Sequence, residues 1–279
     1  MVHSVGIEQI DDGLMRTRGA DVNIAFRVRG SGPAVVLLHG TSANHAVWEP
    51  IGDAMEDRAT VIAVDQRGHG RSDKPAAGYT GRDFAGDVVT VLDALGIDEA
   101  VVAGHSLGGR NAWLVGALHP ERVTGIVVVD YTPYVEAAVL DELDVRVAGG
   151  FRSFASIDEI EGYLRGRYSA ILPGAVQRRA RWGYQAQPDG GLVPLADPTA
   201  MHQLIDGFRT PWDAEFRAVP APMVHLRGAE SRIVSDAAWQ DAIDARPGDR
   251  WVVVDGADHY IPEEFPDRVT AELDFVLGT

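Results

Sequence analysis

The sequence predicts an α/β protein: a mostly parallel sheet covered by helices on both faces. Two observations carry this. Short apolar runs of strand length recur at 34–38, 60–64, 100–103, 123–129, 223–226 and 251–254. Continuous apolar runs of this kind mark strands buried on both faces, as parallel strands are. Stretches of helical patterning separate several of the runs, and this alternation builds a parallel sheet through crossover helices.

Taken in order, the first third is strand-rich, with 22–28 preceding 34–38 and 60–64. An amphipathic helix is expected over 80–95. The run 100–103 enters Gly104-His-Ser-Leu-Gly-Gly109, and 110–118 reads as a helix. The run 123–129 ends at Asp130. From 134 to 218 the pattern is helical without a strong strand. A loop of that length does not stay unstructured in a compact domain, so the segment is expected to be a helical cap. The core is expected over 1–133 and 219–279. The runs 223–226 and 251–254 complete the sheet, and an amphipathic helix over 267–277 closes the chain.

Composition narrows the function classes. The chain has 279 residues, is 46% hydrophobic and has no cysteine, so disulfides, thiolate metal sites and a cysteine nucleophile are excluded. A net charge of −16 argues against nucleic acid or an anionic membrane as partner. No apolar run approaches the roughly 20 residues of a membrane span. The first residues, Met1-Val-His-Ser-Val-Gly-Ile-Glu8, show no secretory pattern, which is compatible with the cytoplasm. A homodimer is allowed, and the sequence does not otherwise define an assembly. No histidine pair or carboxylate cluster has metal-ligand spacing, so neither metal nor cofactor is expected.

The serine turn carries the chemistry. A serine between glycines, at the junction of a buried strand and a helix, presents its hydroxyl on a strained turn. The helix N-terminus behind it favours developing negative charge. Such a nucleophile needs a base and an orienting acid. Among nine histidines, His39 and His105 sit in glycine turns, His69 in a glycine-rich loop, His119 before Pro120 and His202 in the long helical segment. His259 follows the last strand and the loop Asp255-Gly-Ala-Asp258, from which it can reach back over the sheet to Ser106. Two acids are open: Asp130, which ends an apolar strand, and Glu230 in Arg227-Gly-Ala-Glu-Ser-Arg232. Asp130 is preferred, because a carboxylate ending a buried strand needs a partner. The oxyanion hole would take backbone N–H groups from Leu107 and from Thr41, in the turn His39-Gly40-Thr41-Ser42. The loop from Asp65 to Pro75 reads as scaffold whose Arg and Asp groups satisfy one another.

Together, His39-Gly40, Asp65-Gln-Arg-Gly-His-Gly-Arg-Ser72, Gly104-His-Ser-Leu-Gly108 and Gly256-Ala-Asp-His259 resemble the α/β-hydrolase superfamily over nearly the whole chain. The resemblance implies an eight-stranded sheet with the cap inserted after the sixth strand. It also implies Ser106 as nucleophile and His259 as base. The family's usual acid stands in a G-x-x-D pattern after the next-to-last strand, where this chain has Gly228-Ala-Glu-Ser231. Some members place the acid one strand earlier, which fits Asp130. A narrower likeness, carried by Asp130-Tyr-Thr-Pro-Tyr134, Tyr163-Leu-Arg-Gly-Arg-Tyr168, Gly183-Tyr-Gln185 and Asp189-Gly-Gly-Leu192, implies hydrolases that cleave a small enamide dicarboxylate.

Charge within the cap segment fits an anionic substrate. The chain has one lysine, Lys74, and 24 arginines. Five of these (Arg165, Arg167, Arg178, Arg179 and Arg181) fall between 162 and 188 without any Asp or Glu, and Arg146 lies earlier in the same segment. Guanidinium groups bind carboxylates in two-pronged, charge-assisted pairs. Helical spacing and the resemblance select Arg146, Arg167 and Arg179 as substrate-binding candidates. The reading is a Ser106-His259-Asp130 hydrolase of a small anionic amide or ester. Alternatives are a carboxylesterase, lactonase or carbon–carbon hydrolase of another small substrate, and a non-enzymatic ligand receptor on the same fold. Haloalkane dehalogenation would need an aspartate at position 106.

Overall fold

The computed structural model describes residues 6–279 except 12, 19, 189 and 211. Residues 1–5 of the N-terminal stretch and Asp189 of the quoted motif therefore lie outside the described residues. One sheet organises the chain. Strands β1 (Gly6–Asp11), β2 (Leu14–Arg18) and β3 (Ala25–Arg29) run antiparallel to one another, and β3 pairs antiparallel with β5 (Thr60–Asp65). From there every pairing is parallel: β5 with β4 (Ala34–Leu38), then β6 (Ala100–His105), β7 (Val123–Val129), β10 (Met223–Gly228) and β11 (Arg250–Val254). The sheet has nine strands rather than eight, and the cap segment follows the seventh in chain order. The difference is β1, an edge strand of alternating exposure whose apolar content is too low to register as a run.

Helices cover both faces. On one side lie α2 (Gly81–Leu95) and α3 (Leu107–Leu118); on the other lie α1 (Glu49–Met55) and α11 (Pro266–Leu277). The start of α2 is set by a capping box between Thr80 and Asp83, and its end by Gly96 in the left-handed region. Helix α9 (Asp236–Ala245) links β10 to β11, and the single-turn α10 (Ile261–Glu264) follows His259. Val35, Val36, Leu37 and Leu38 on β4 and Ile126, Val127 and Val129 on β7 have no exposed surface. That is why these strands read as unbroken apolar runs.

Between β7 and β10 lie α4 (Ala137–Ala148), α5 (Ile157–Arg167), α6 (Pro173–Trp182), α7 (Pro198–Phe208) and α8 (Asp213–Ala218). The segment is not purely helical: β8 (Tyr184–Ala186) and β9 (Leu192–Pro194) form a small antiparallel sheet. Three-residue strands give no periodic signal in sequence. No helix among the described residues is long and apolar enough to cross a membrane.

The loop after β5 is structural, but its charged groups mostly find partners elsewhere. Asp65 accepts from the backbone and ring of His45 and from the Arg71 N–H. Arg67 forms a two-pronged pair with Asp87 on α2. Gly70, at φ +48°, approaches Asp65 so closely that an added Cβ would lie 2.1 Å from its carboxylate.

Candidate active site

Ser106 stands between β6 and α3 with φ 53° and ψ −113°, a conformation that strains any residue with a side chain. Its N–H donates to the carbonyl of Val129, which places it beside Asp130 at the end of the neighbouring strand. Two glycines make this turn possible. A Cβ at Gly104 would lie 2.0 Å from the Gly108 carbonyl oxygen, and one at Gly108 would lie 2.0 Å from that of Leu38. The helix therefore starts tight against the sheet, and Leu107, its first residue, points an amide without an intrahelical partner from the helix N-terminus.

Of the two carboxylates considered for orienting His259, the structure brings only Asp130 to it. Asp130 is fully buried, and its Oδ2 accepts from His259 Nδ1 at 2.6 Å. The same oxygen accepts from Ser231 Oγ at 2.6 Å, and Oδ1 accepts from Gly228 N–H at 2.9 Å. Burial pushes the Asp130 carboxyl up, while these donors hold its ionised form. Glu230, the alternative, is exposed and turned outward. The serine in the G-x-x-D position supports Asp130 rather than leaving a gap. Its oxygen accepts from the N–H groups of Ile233 and Val234, so its proton is directed at the carboxylate.

His259 itself is buried, and burial, followed by the Arg146 charge, pushes its pKa down to about 3. With Nδ1 donating to Asp130, the neutral ring keeps Nε2 unprotonated and able to accept a proton. His105, set aside above as a turn residue, proves to be its support. His105 Nε2 donates to the His259 carbonyl at 2.8 Å, and the two rings lie 4.6 Å apart. Glu264 braces the same loop by accepting from the N–H groups of Asp258 and Tyr260.

The turn after β4 packs directly on the serine. A Cβ at Gly40 would come within 2.8 Å of His105 Nδ1 and 3.4 Å of Ser106 Cβ. Thr41 and Ser42 are the corner residues of a turn closed by Ala43 N–H to Gly40 O, and Ser42 sits at φ 60°.

The three selected arginines come from three helices. Arg146 on α4 and Arg167 on α5 line a cavity with His259, Tyr168 and Tyr260. Arg167 and Arg179 on α6 line a second cavity with Ser42, Ala43 and Asn44. Arg167 donates to the hydroxyls of Tyr163 and Tyr168 and, among the described residues, pairs with no carboxylate. Arg179 is buried and makes a two-pronged pair with Glu263 on α10, its Nε 2.8 Å from Oε1. It also lies 4.4 Å over the Tyr168 ring. Burial alone would raise the Tyr168 phenol, but Arg179, then Arg167, draw it below its usual value. The other cap arginines point elsewhere: Arg165 pairs with Glu161, while Arg178 and Arg181 line a groove behind α6 with Trp182. Sequence reasoning missed Glu263; the buried Glu263–Glu264 pair just after His259 was the available signal. Among the described residues, no three His, Cys, Asp or Glu side chains gather as a metal site.

Comparison with known proteins places this geometry. A family model described as the alpha/beta hydrolase fold matches residues 33–266. A protein of Mesorhizobium japonicum named 2-(acetamidomethylene)succinate hydrolase is 43% identical over 246 residues, 88% of each chain. The crystal structure of an E-2-(acetamidomethylene)succinate hydrolase superposes with a TM-score of 0.92 at 40% identity, covering 95% of this chain and 99% of that one. A fluoroacetate dehalogenase from Burkholderia sp is 27% identical over 271 residues, 88% of each chain.

Proposed function

Because this chain belongs to the α/β-hydrolase fold family and is a hydrolase, we propose that it cleaves the amide bond of a small dicarboxylate through a Ser106-His259-Asp130 triad. The substrate that fits best is (E)-2-(acetamidomethylene)succinate. The observation that carries the reading is that Arg146 and Arg167 line a cavity with His259, and Arg167 and Arg179 line a second one with Ser42 and Ala43 of the turn after β4. In a protein of net charge −16, guanidinium groups from three helices line these two cavities; Arg179 is paired with Glu263, and Arg146 and Arg167 are the ones left to meet substrate carboxylates. The Mesorhizobium japonicum relative and the superposed crystal structure support the same substrate. In this reading residues 134–218 act as a cap over a core of 1–133 and 219–279.

The steps follow from the residues. His259 Nε2 takes the Ser106 proton while Asp130 holds the ring through Nδ1. Ser106 Oγ attacks the acetyl carbonyl, and the N–H groups of Thr41 and Leu107 receive the oxyanion. The C–N bond breaks, and His259 returns the proton to the departing nitrogen. Water then releases acetate from Ser106 by the same route. The freed enamine takes up a second water and loses ammonia and carbon dioxide, leaving succinic semialdehyde.

The test is turnover of (E)-2-(acetamidomethylene)succinate beside p-nitrophenyl acetate, in wild type and Arg179→Ala. Strong dicarboxylate turnover that collapses in the variant while turnover of the neutral ester is kept supports the assignment. Turnover of the neutral ester alone, indifferent to Arg179, overturns the substrate and leaves a general esterase.

A further inference from the structure

A chain of buried hydrogen bonds runs from the nucleophile helix to the turn that carries Thr41. Arg110 Nε donates to Asn111 Oδ1 at 3.1 Å. Asn111 Nδ2 donates to Gln66 Oε1 at 2.6 Å, and Gln66 Nε2 donates to the His39 carbonyl at 2.5 Å. The Gln66 N–H donates to His39 Nε2 at 3.0 Å, so the ring proton is on Nδ1 and donates to the Gly40 carbonyl at 2.7 Å. Burial keeps this ring neutral by pushing its pKa down to about 4. His39, Arg110 and Asn111 have no exposed surface, and Gln66 has 3%.

The sense of this chain is fixed at one end. A guanidinium has only donors. Arg110 therefore obliges Asn111 to turn its oxygen toward it and its NH2 toward Gln66. Gln66 must in turn present its oxygen to Asn111 and its NH2 to His39. Reversing either amide sets donor against donor or oxygen against oxygen. At the far end, the Gly40 carbonyl is held by two donors, His39 Nδ1 and the Ala43 N–H. The described residues contain no cis peptide bond, and in a trans peptide the N–H points opposite to the C=O. Holding the Gly40 carbonyl therefore aims the Thr41 N–H.

We propose that Arg110, Asn111, Gln66 and His39 are positioning residues that set the direction of the Thr41 N–H relative to Ser106. The same relay gives a use to a guanidinium that is otherwise costly. Arg110 is fully buried, among the described residues its Nη1 and Nη2 have no hydrogen-bond partner and no carboxylate pairs with it, and the Phe84 and Phe208 rings and the Tyr131 phenol face its charge. The proposal rests on reading Thr41 as an oxyanion donor to a Ser106 adduct.

Asn111→Asp separates positioning from structure. The carboxylate still accepts from Arg110 and supplies its missing counter-charge. It can no longer donate to Gln66, so the relay loses its sense. The expected result is a melting temperature no lower than wild type and unchanged succinate binding. The kcat for p-nitrophenyl acetate should fall by about 10- to 100-fold, short of the roughly 10²–10³ for outright loss of an oxyanion donor. Affinity for methylboronic acid, which forms a tetrahedral adduct on a reactive serine, should fall in parallel. Gln66→Met, which cuts both links at another point, gives the same split if Asn111→Asp does not fold. Wild-type kcat and boronate affinity in a folded variant, with Ser106→Ala inactive, would overturn the relay alone. Retained turnover in Ser106→Ala would overturn the nucleophile reading beneath it.

Discussion

Ser231 donates its hydroxyl to Asp130 at 2.6 Å, from the loop position where an acid is usual in this family. At that position this chain holds a donor to the carboxylate at the end of the neighbouring strand. Asp130→Asn is expected to lower kcat by about 10⁴, the cost of losing the orienting carboxylate in a related triad. Ser231→Ala removes one hydrogen bond to a charged group and should cost about 10-fold. Glu230→Gln should leave kcat/KM unchanged. A loss confined to Glu230→Gln would move the acid to position 230.

Arg179 and Glu263 are both buried, at 6% and 2% side-chain exposure. Removing one partner of such a pair leaves the other charge unpaired, at roughly 3–5 kcal/mol. Glu263→Gln should lower the urea midpoint accordingly. Glu263→Gln combined with Arg179→Met should recover much of that loss, because no lone charge remains. An unchanged midpoint in the single variant would mean that Arg179 finds another partner.

Burial and, after it, the Arg146 charge depress the pKa of His259. Only the neutral ring accepts a proton, so the acid side of the kcat/KM profile falls where His259 becomes charged. Removing the neighbouring positive charge makes protonation easier. Arg146→Ala should therefore move the acid limb to higher pH, measured with a neutral ester so that substrate binding does not enter. A limb that stays in place or moves to lower pH counts against His259 as the group observed.

Gly40→Ala inserts a methyl against His105 and Ser106. The turn must retreat, carrying the Thr41 amide with it. The expected loss is about 10² in kcat with the circular dichroism spectrum of wild type, the scale for a displaced oxyanion donor. Full activity would remove Thr41 from the mechanism.

The residues of this candidate site stand out in the sequence where they sit at the ends of strongly apolar strands. Ser106, Asp130 and His259 follow β6, β7 and β11, and a polar group at such an edge stands out. The residues that hold them did not. His105 was masked by the glycine motif that contains it. Glu263 lies on a single helical turn with no periodicity. Gln66 and Asn111 are ordinary amides whose role exists only through partners 27 and 45 residues away. The edge strand β1 and the β8–β9 pair escaped because short, half-exposed strands carry little apolar signal.

Among the described residues, four non-glycine residues have positive φ, and three of them, Ser42, Ser106 and Asp130, are gathered at the site. Each holds a backbone shape that glycine adopts more cheaply, by about 1 kcal/mol or more. Glycine at 42 or 106 would relieve that strain, whereas at 130 it would also strip the partner from Gly228 N–H, Ser231 and His259. If Ser106 is the nucleophile proposed above, durability and turnover are opposing demands on that one peptide unit.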